Sequence, residues 1–228
     1  MEFGKQGSKK RHFERELDEL KQRILRMGGI VEDLFLRSIE ALSERDRTLL
    51  AEANRIEAEI DAEEVQIEED CLKLVALYQP VAGDLRFIAS VLKINAELER
   101  MGDLALHIAE RAHDLAAHPG MPVPPDLRRI AADVQRMVRS SLESLVHQDS
   151  ELALQVLQAD HEVDDLHRFM FQHVAQALRV NPDLAEPLLH LLSASRHLER
   201  IADSATNIAE DVYYLVEGQI IRHRAGMG

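Results

Sequence analysis

The sequence predicts an all-α protein built as two tandem antiparallel three-helix bundles. Three observations predict it. Trp is absent, aromatics are 4% of the 228 residues, and Ala, Leu, Glu and Arg abound, a composition of high helix propensity. Pro and Gly gather at a few points, where helices must stop. Residues 98–110, beginning Leu98-Glu99-Arg100-Met101-Gly102-Asp103, return as residues 198–210, beginning Leu198-Glu199-Arg200-Ile201-Ala202-Asp203. A repeat of that fidelity marks a duplicated unit.

The elements follow in order. Residues 1–11 form a polar N-terminal extension, and the first bundle spans 12–118, with helices over 12–44, 48–78 and 82–117. Asp46 stands at the predicted start of the second helix, where a short acid can cap open backbone amides. Pro80 and Gly83 separate the second helix from the third. The run Pro119-Gly120-Met121-Pro122-Val123-Pro124-Pro125 is a linker over 119–125. The second bundle spans 126–217, with helices over 126–147, 150–180 and 184–217 and a tail over 218–228. Asp149 is its counterpart cap, and Pro182 with Pro187 makes the second break. The offset is 103 residues from Asp46 to Asp149 and from Glu57 to Asp160, then 100 from Glu99 to Glu199. The register shifts once, in the Pro-containing turn, where insertions and deletions are tolerated.

What the repeat keeps is chemical. Glu99/Asp103 and Glu199/Asp203 stand four apart, on one face of a helix. They interrupt seams of small and apolar residues: Ile88, Leu92, Asn95, Gly102, Leu106, Ala109, and Leu188, Leu192, Ser195, Ala202, Thr206, Ala209. On the second helices, Glu57/Asp61 and Asp160/Asp164 repeat the pattern, the latter in a series with Leu157, His167, Phe171, Val174 and Leu178. If second and third helices pack side by side, four carboxylates converge in each bundle. A carboxylate in such a seam costs free energy unless paired or coordinated. Oxygen-only ligands suit hard or borderline cations such as Mg²⁺, Ca²⁺, Mn²⁺ or iron. The pattern alone carries little, since Glu14/Asp18 and Glu110/Asp114 also match it; its duplication carries the weight. The competing reading pairs these acids with Arg86, Arg100, Arg196 and Arg200 as a solvated, salt-bridged face. His107 and Asn207 sit one turn beyond Asp103 and Asp203 as weaker metal candidates, followed by Glu110 and Glu210.

The net charge of −14 repels nucleic-acid phosphates and anionic lipid and favours cations or basic surfaces. No nucleic-acid partner is expected. The single Cys71 fits a reducing compartment, and no apolar run reaches the roughly 20 residues of a membrane span. A cytoplasmic location is expected, with membrane association only indirect. No Gly-rich phosphate loop, zinc His-Glu-x-x-His or nucleophile elbow is present. A di-iron bundle would need Glu-x-x-His twice, and only Glu110/His113 matches. No catalytic residue is assigned.

The repeated Leu-Glu-Arg-x-[Gly/Ala]-Asp segments and the Ile-Ala-Glu stretches after them resemble the PhoU family. The resemblance covers about residues 13–217, departing at His107, where the family often has the Asn found at 207. It implies paired three-helix bundles related by an internal pseudo-two-fold, each able to hold a multinuclear iron cluster, with Zn, Mn, Ni, Mg or Ca as alternative metals. Glu57, Asp61, Glu99 and Asp103 would hold one cluster and Asp160, Asp164, Glu199 and Asp203 the other. It further implies a negative regulator of the phosphate-starvation response and of phosphate uptake, not an enzyme. Its implied partners are a PhoR-like sensor histidine kinase and a PstB-like ATPase subunit of the phosphate ABC transporter, and a homodimer is expected. Two other classes stay open: a metal-storage or metal-dependent enzyme, and a structural helical adaptor without metal.

Overall fold

The computed structural model describes residues 2–221, with side chains from Arg11 onward. Six helices follow one another: α1 (Glu2–Glu44), α2 (Leu49–Tyr78), α3 (Ala82–Leu115), α4 (Pro125–His147), α5 (Ser150–Val180) and α6 (Ala185–Glu217), with a single 3₁₀ turn at Pro182–Leu184 before α6. No strand occurs among the described residues. Two boundaries differ from the sequence-based expectation. The first helix does not begin near residue 12 but runs unbroken from Glu2, so the expected extension is helical from there. Of the expected tail, 218–221 is non-helical, while Met1 and residues 222–228 lie outside the described residues.

Helix ends are set by local chemistry. Asp149 is the cap of α5, its side chain accepting from the amides of Glu151 and Leu152 at 3.0 Å each. Asp46 does not cap α2: the cap position is Thr48, and Asp46 accepts from the Thr48 amide at 2.7 Å and from its hydroxyl at 2.8 Å. Pro125 opens α4, where its missing N–H would have had no helical partner. Arg45 closes α3 from outside, donating to the carbonyls of Leu115 (3.2 Å) and His118; a cation there meets the negative end of the helix dipole. Replacing Asp149 by alanine is expected to cost about 1 kcal/mol, read as a drop in thermal midpoint.

Steps of four and three build the core. On α1, Leu20, Ile24, Met27, Val31 and Leu34 are fully buried, and Ile56, Ile60, Ile67, Cys71 and Leu74 do the same for α2. Each bundle is α1–α3 or α4–α6, and α3 packs along α6 to join them. Consequently α3 and α6, covered on two sides, carry the longest buried stripes.

The α3–α6 joint is pseudo-symmetric contact by contact. Lys93 pairs with Asp211 at 2.7 Å, and the Ser90 hydroxyl reaches the Asp211 carbonyl at 3.5 Å. Moving each residue by 100 turns the second pair into His190 and Arg111, which meet at 3.4 Å. Asn207 donates to Glu97 at 3.0 Å; its image is the stacked pair His107 and His197, with ring centroids 5.1 Å apart. His118 and Glu186, at 3.7 Å, are the image of Gly218 and Arg86. There a positive φ of 71° favours glycine at 218, since an L side chain would be strained and would displace the Arg86 guanidinium. An antiparallel pair related by a local two-fold produces such reciprocal contacts.

Candidate functional site

Each bundle presents its acids where the second and third helices meet. In the first, the buried stripe of α2 is interrupted between Ile60 and Ile67. Glu63 there turns to α1, accepting from Arg23 at 2.8 Å. Glu64 turns to α3, where Asn95 donates to its carbonyl oxygen at 2.9 Å and its carboxylate at 3.2 Å. One and two turns back along α2 lie Asp61 and Glu57. Gly102 lets the two helices close together: a Cβ there would stand 2.9 Å from the Ile60 side chain.

The charges of the first patch feel one another. Burial raises the Glu57 carboxyl above its ordinary range, helped by Asp61 on its own helix and Asp103 on α3, both within hydrogen-bonding reach. Burial likewise raises Glu99, with Asp103, Asp61 and Glu64 adding to it. Glu64 is raised by burial, then by Glu68 and Asp61. Five carboxylates, Glu57, Asp61, Glu64, Glu99 and Asp103, therefore form one negatively strained group across two helices.

The second patch has the same plan with different members. Asp160 fills a gap in the buried stripe of α5 between Val156 and Val163. Its carboxyl is pushed up to about 6, by burial first and then by Asp164 and Asp203. Burial raises Glu199, whose neighbours Asp203, Asp164 and Asp160 add to the effect. Asp203, at the open rim, is raised by burial and by Asp164. Arg196 bonds one oxygen of Glu199 at 3.1 Å, while the other, Oε2, is buried without a hydrogen-bond partner. In place of Glu64 stands His167, its Nδ1 2.8 Å from the Ser195 hydroxyl.

The expected acid pairs are thus brought together bundle by bundle, though not on the innermost stripe. Phe171, placed with Asp160 and Asp164 in an apolar seam, is 59% exposed; the acids occupy the flank beside the core. Among the described residues, no three Asp, Glu, His or Cys side chains form a ready-made coordination sphere. The donor set still fits a cation. The carboxylates raise one another's pKa, and one buried Glu199 oxygen has nothing to bond. The salt-bridge reading accounts for part of this: Arg196 pairs with Glu199, Arg100 offsets the rise of Glu99, and Arg100, Arg196 and Arg200 offset that of Asp203.

Two of the weaker candidates, His107 and Asn207, face elsewhere. His107 stacks on His197 and Asn207 bonds Glu97, so both turn towards the opposite bundle across the α3–α6 joint. Glu110 pairs with Arg111 at 3.4 Å, and Glu210 is half-buried. Sequence reasoning missed Glu64 and His167. The 103-residue offset that aligns them was the available signal, since they continue the faces of Glu57/Asp61 and Asp160/Asp164 by one turn.

No described helix is long and apolar enough to cross a membrane. The PhoU domain matches twice, over residues 24–112 and 127–212, which coincide with the two bundles. The chain is similar to the phosphate-specific transport system accessory protein PhoU homologs of Pseudomonas aeruginosa (36% identity, 92% of this chain, 88% of the relative) and Aquifex aeolicus (38%, 92% and 95%). The fold matches the crystal structure of PhoU from Pseudomonas aeruginosa with a TM-score of 0.87 at 36% identity, over 91% of this chain and 100% of the other. It also matches the phosphate transport system regulatory protein PhoU from Streptococcus pneumoniae, with a TM-score of 0.81 at 26% identity, over 91% and 98%. These relatives are named accessory or regulatory proteins, not enzymes. With both domains matched and the duplicated acids in place, the chain belongs to the PhoU family.

Proposed function

We propose that this protein is a negative regulator of phosphate uptake and of the phosphate-starvation response. It acts by contact with the ATPase subunit of a phosphate ABC transporter and with a sensor histidine kinase. The observation that supports this best is the match of the full two-bundle architecture to relatives named accessory proteins of phosphate-specific transport. The protein works in the cytoplasm and reaches the membrane only through its partners. Each acid patch holds cations, iron or another divalent metal, through Glu57, Asp61, Glu99 and Asp103 and through Asp160, Asp164, Glu199 and Asp203. A bound cation supplies positive charge that neutralises the patch, which changes the surface available for docking. Carboxylates this crowded raise one another's pKa, which favours cation binding.

The test expresses the chain in a bacterium lacking its own PhoU and measures phosphate uptake and alkaline phosphatase under high phosphate. Restored repression by the wild type is expected, with loss of repression and of co-purifying metal in Glu99→Ala/Glu199→Ala. Constitutive uptake despite folded wild-type protein would overturn the regulatory role. Full repression by a metal-free double variant would leave the acids without a part in it.

A further inference from the structure

The outward face of α2 is not built for water. Among the described residues, α2 packs only on α1 and α3. On the side away from its buried stripe, Ala58, Ala62, Val65, Glu69, Leu72 and Ala76 follow one another in steps of four and three, and all six are exposed. Val65 is 49% and Leu72 56% exposed. Such spacing is the seam of a helix that packs on another helix, yet none of the described residues covers it. The second bundle supplies the comparison. At the 103-residue offset, the same positions of α5 hold His161, Asp165, Arg168, Gln172, Ala175 and Arg179, an ordinary solvated face. Solubility alone therefore does not dictate what α2 carries there.

Charge selects the partner. Residues 56–72 hold eight acids and no Lys or Arg. Arg23 of α1 takes Glu63 and Asp70, and Arg55 takes Glu59, while Glu57, Asp61, Glu64, Glu68 and Glu69 pair with no Lys or Arg among the described residues. Of these, Asp61, Glu68 and Glu69 are exposed within or beside the seam. We propose that the outward face of α2 docks an amphipathic helix of a partner protein, with aliphatic residues at four-three spacing and Lys or Arg along its flanks. Helix-in-groove recognition reads anchors at that spacing, and flanking charges choose the partner. The stretch from Ala58 to Ala76 runs about 27 Å, room for about five turns of a bound helix. A second copy of the same face would set acid against acid, a repulsion that excludes it. The proposal rests on the reading that this protein acts by contact with partners.

The probe is a synthetic helical peptide with a four-three seam of Leu flanked by Lys, titrated into the full chain and followed by fluorescence anisotropy. The wild type should bind it and should not bind the same peptide flanked by Glu. V65R/L72A/A76R gives α2 the residues of α5 at three seam positions and leaves the core alone. It should fold, as circular dichroism checks, and bind the Lys peptide at least about tenfold more weakly, since burying an aliphatic side chain is worth about 1.5–3 kcal/mol. Equal binding by the folded variant overturns the proposal. So does equal binding of a peptide with Ser in place of Leu, or a wild-type dimer that V65R/L72A/A76R turns into a monomer. In the repression assay, the variant should fail where the wild type succeeds. A variant that has lost the peptide yet represses fully removes this face from the function and leaves the regulatory reading standing. A wild type that binds the peptide but does not repress keeps the face and defeats the regulatory reading.

Discussion

Replacing Asp160 by asparagine is expected to stabilise the metal-stripped protein by about 2 kcal/mol at pH 7.5. The carboxyl is held at about 6 in the folded chain, against an ordinary value near 3.9. A group whose folded pKa is raised contributes stability that is present at low pH and lost as pH rises through the folded value. Asp160 therefore favours the folded state below about pH 4 and opposes it above about pH 6, by up to about 3 kcal/mol before solvent screening. Asparagine removes that charge. The measurement is urea unfolding of chelator-treated wild type and Asp160→Asn at pH 4, 5, 6 and 7.5. The variant's advantage should grow between pH 4 and 6 and then level off. With divalent cation present the order should reverse, because only the wild type gains binding energy there. A variant less stable than stripped wild type at pH 7.5 would show that the Asp160 charge is already compensated.

The second large effect has the opposite sign. His197 is held near 4 by burial, then by His107, Arg111 and Arg200, well below the ordinary histidine value of about 6.5. The unfolded chain takes up this proton first, so the stability it contributes is full above pH 6.5 and drains away down to pH 4. The cost of acidification from this group is about 2–3 kcal/mol. The exchange His107→Asn/His197→Glu rebuilds at this place the Asn207–Glu97 contact found at its image across the local two-fold. The variant should fold and lose the drop between pH 6.5 and 4.5. A fall as steep as the wild type's would move its source elsewhere. The two groups act against each other over nearly the same range, so each variant should steepen the slope that the other group leaves.

Much of this architecture was legible in the chain. The Pro and Gly positions placed every helix end but the start of α1, which lies ten residues earlier than expected, to within a few residues, and the change of offset from 103 to 100 put the lost residues in the turn between second and third helices. Helical spacing also assigned the acids of each bundle to facing helices. The flank they occupy was less accessible. A period of 3.6 residues fixes a helix face only to a broad arc, and the arc holding Asp160 also holds Phe171, which is exposed. The direction of His107 was hidden for a related reason. It follows Asp103 by one turn, but the covering neighbour on that side is α6 rather than α2, and packing between the halves leaves no mark on local spacing. Asp46 misled because an acid two residues before a helix can brace the turn through Thr48 instead of capping the helix.

The reciprocal joint between α3 and α6 is what a dimer of one bundle would possess, except that a single chain now carries both sides. In a dimer of identical subunits every substitution at the axis is copied, and any misfit is counted twice. Covalent fusion ends that constraint. One side could become histidine on histidine while the other remained asparagine on glutamate, and neither change forced its twin. The same release extends outwards to the acid patches, where Glu64 and His167 have parted company. Gene duplication here supplied two copies of one acid-bearing face, and linkage allowed them to diverge as a pair.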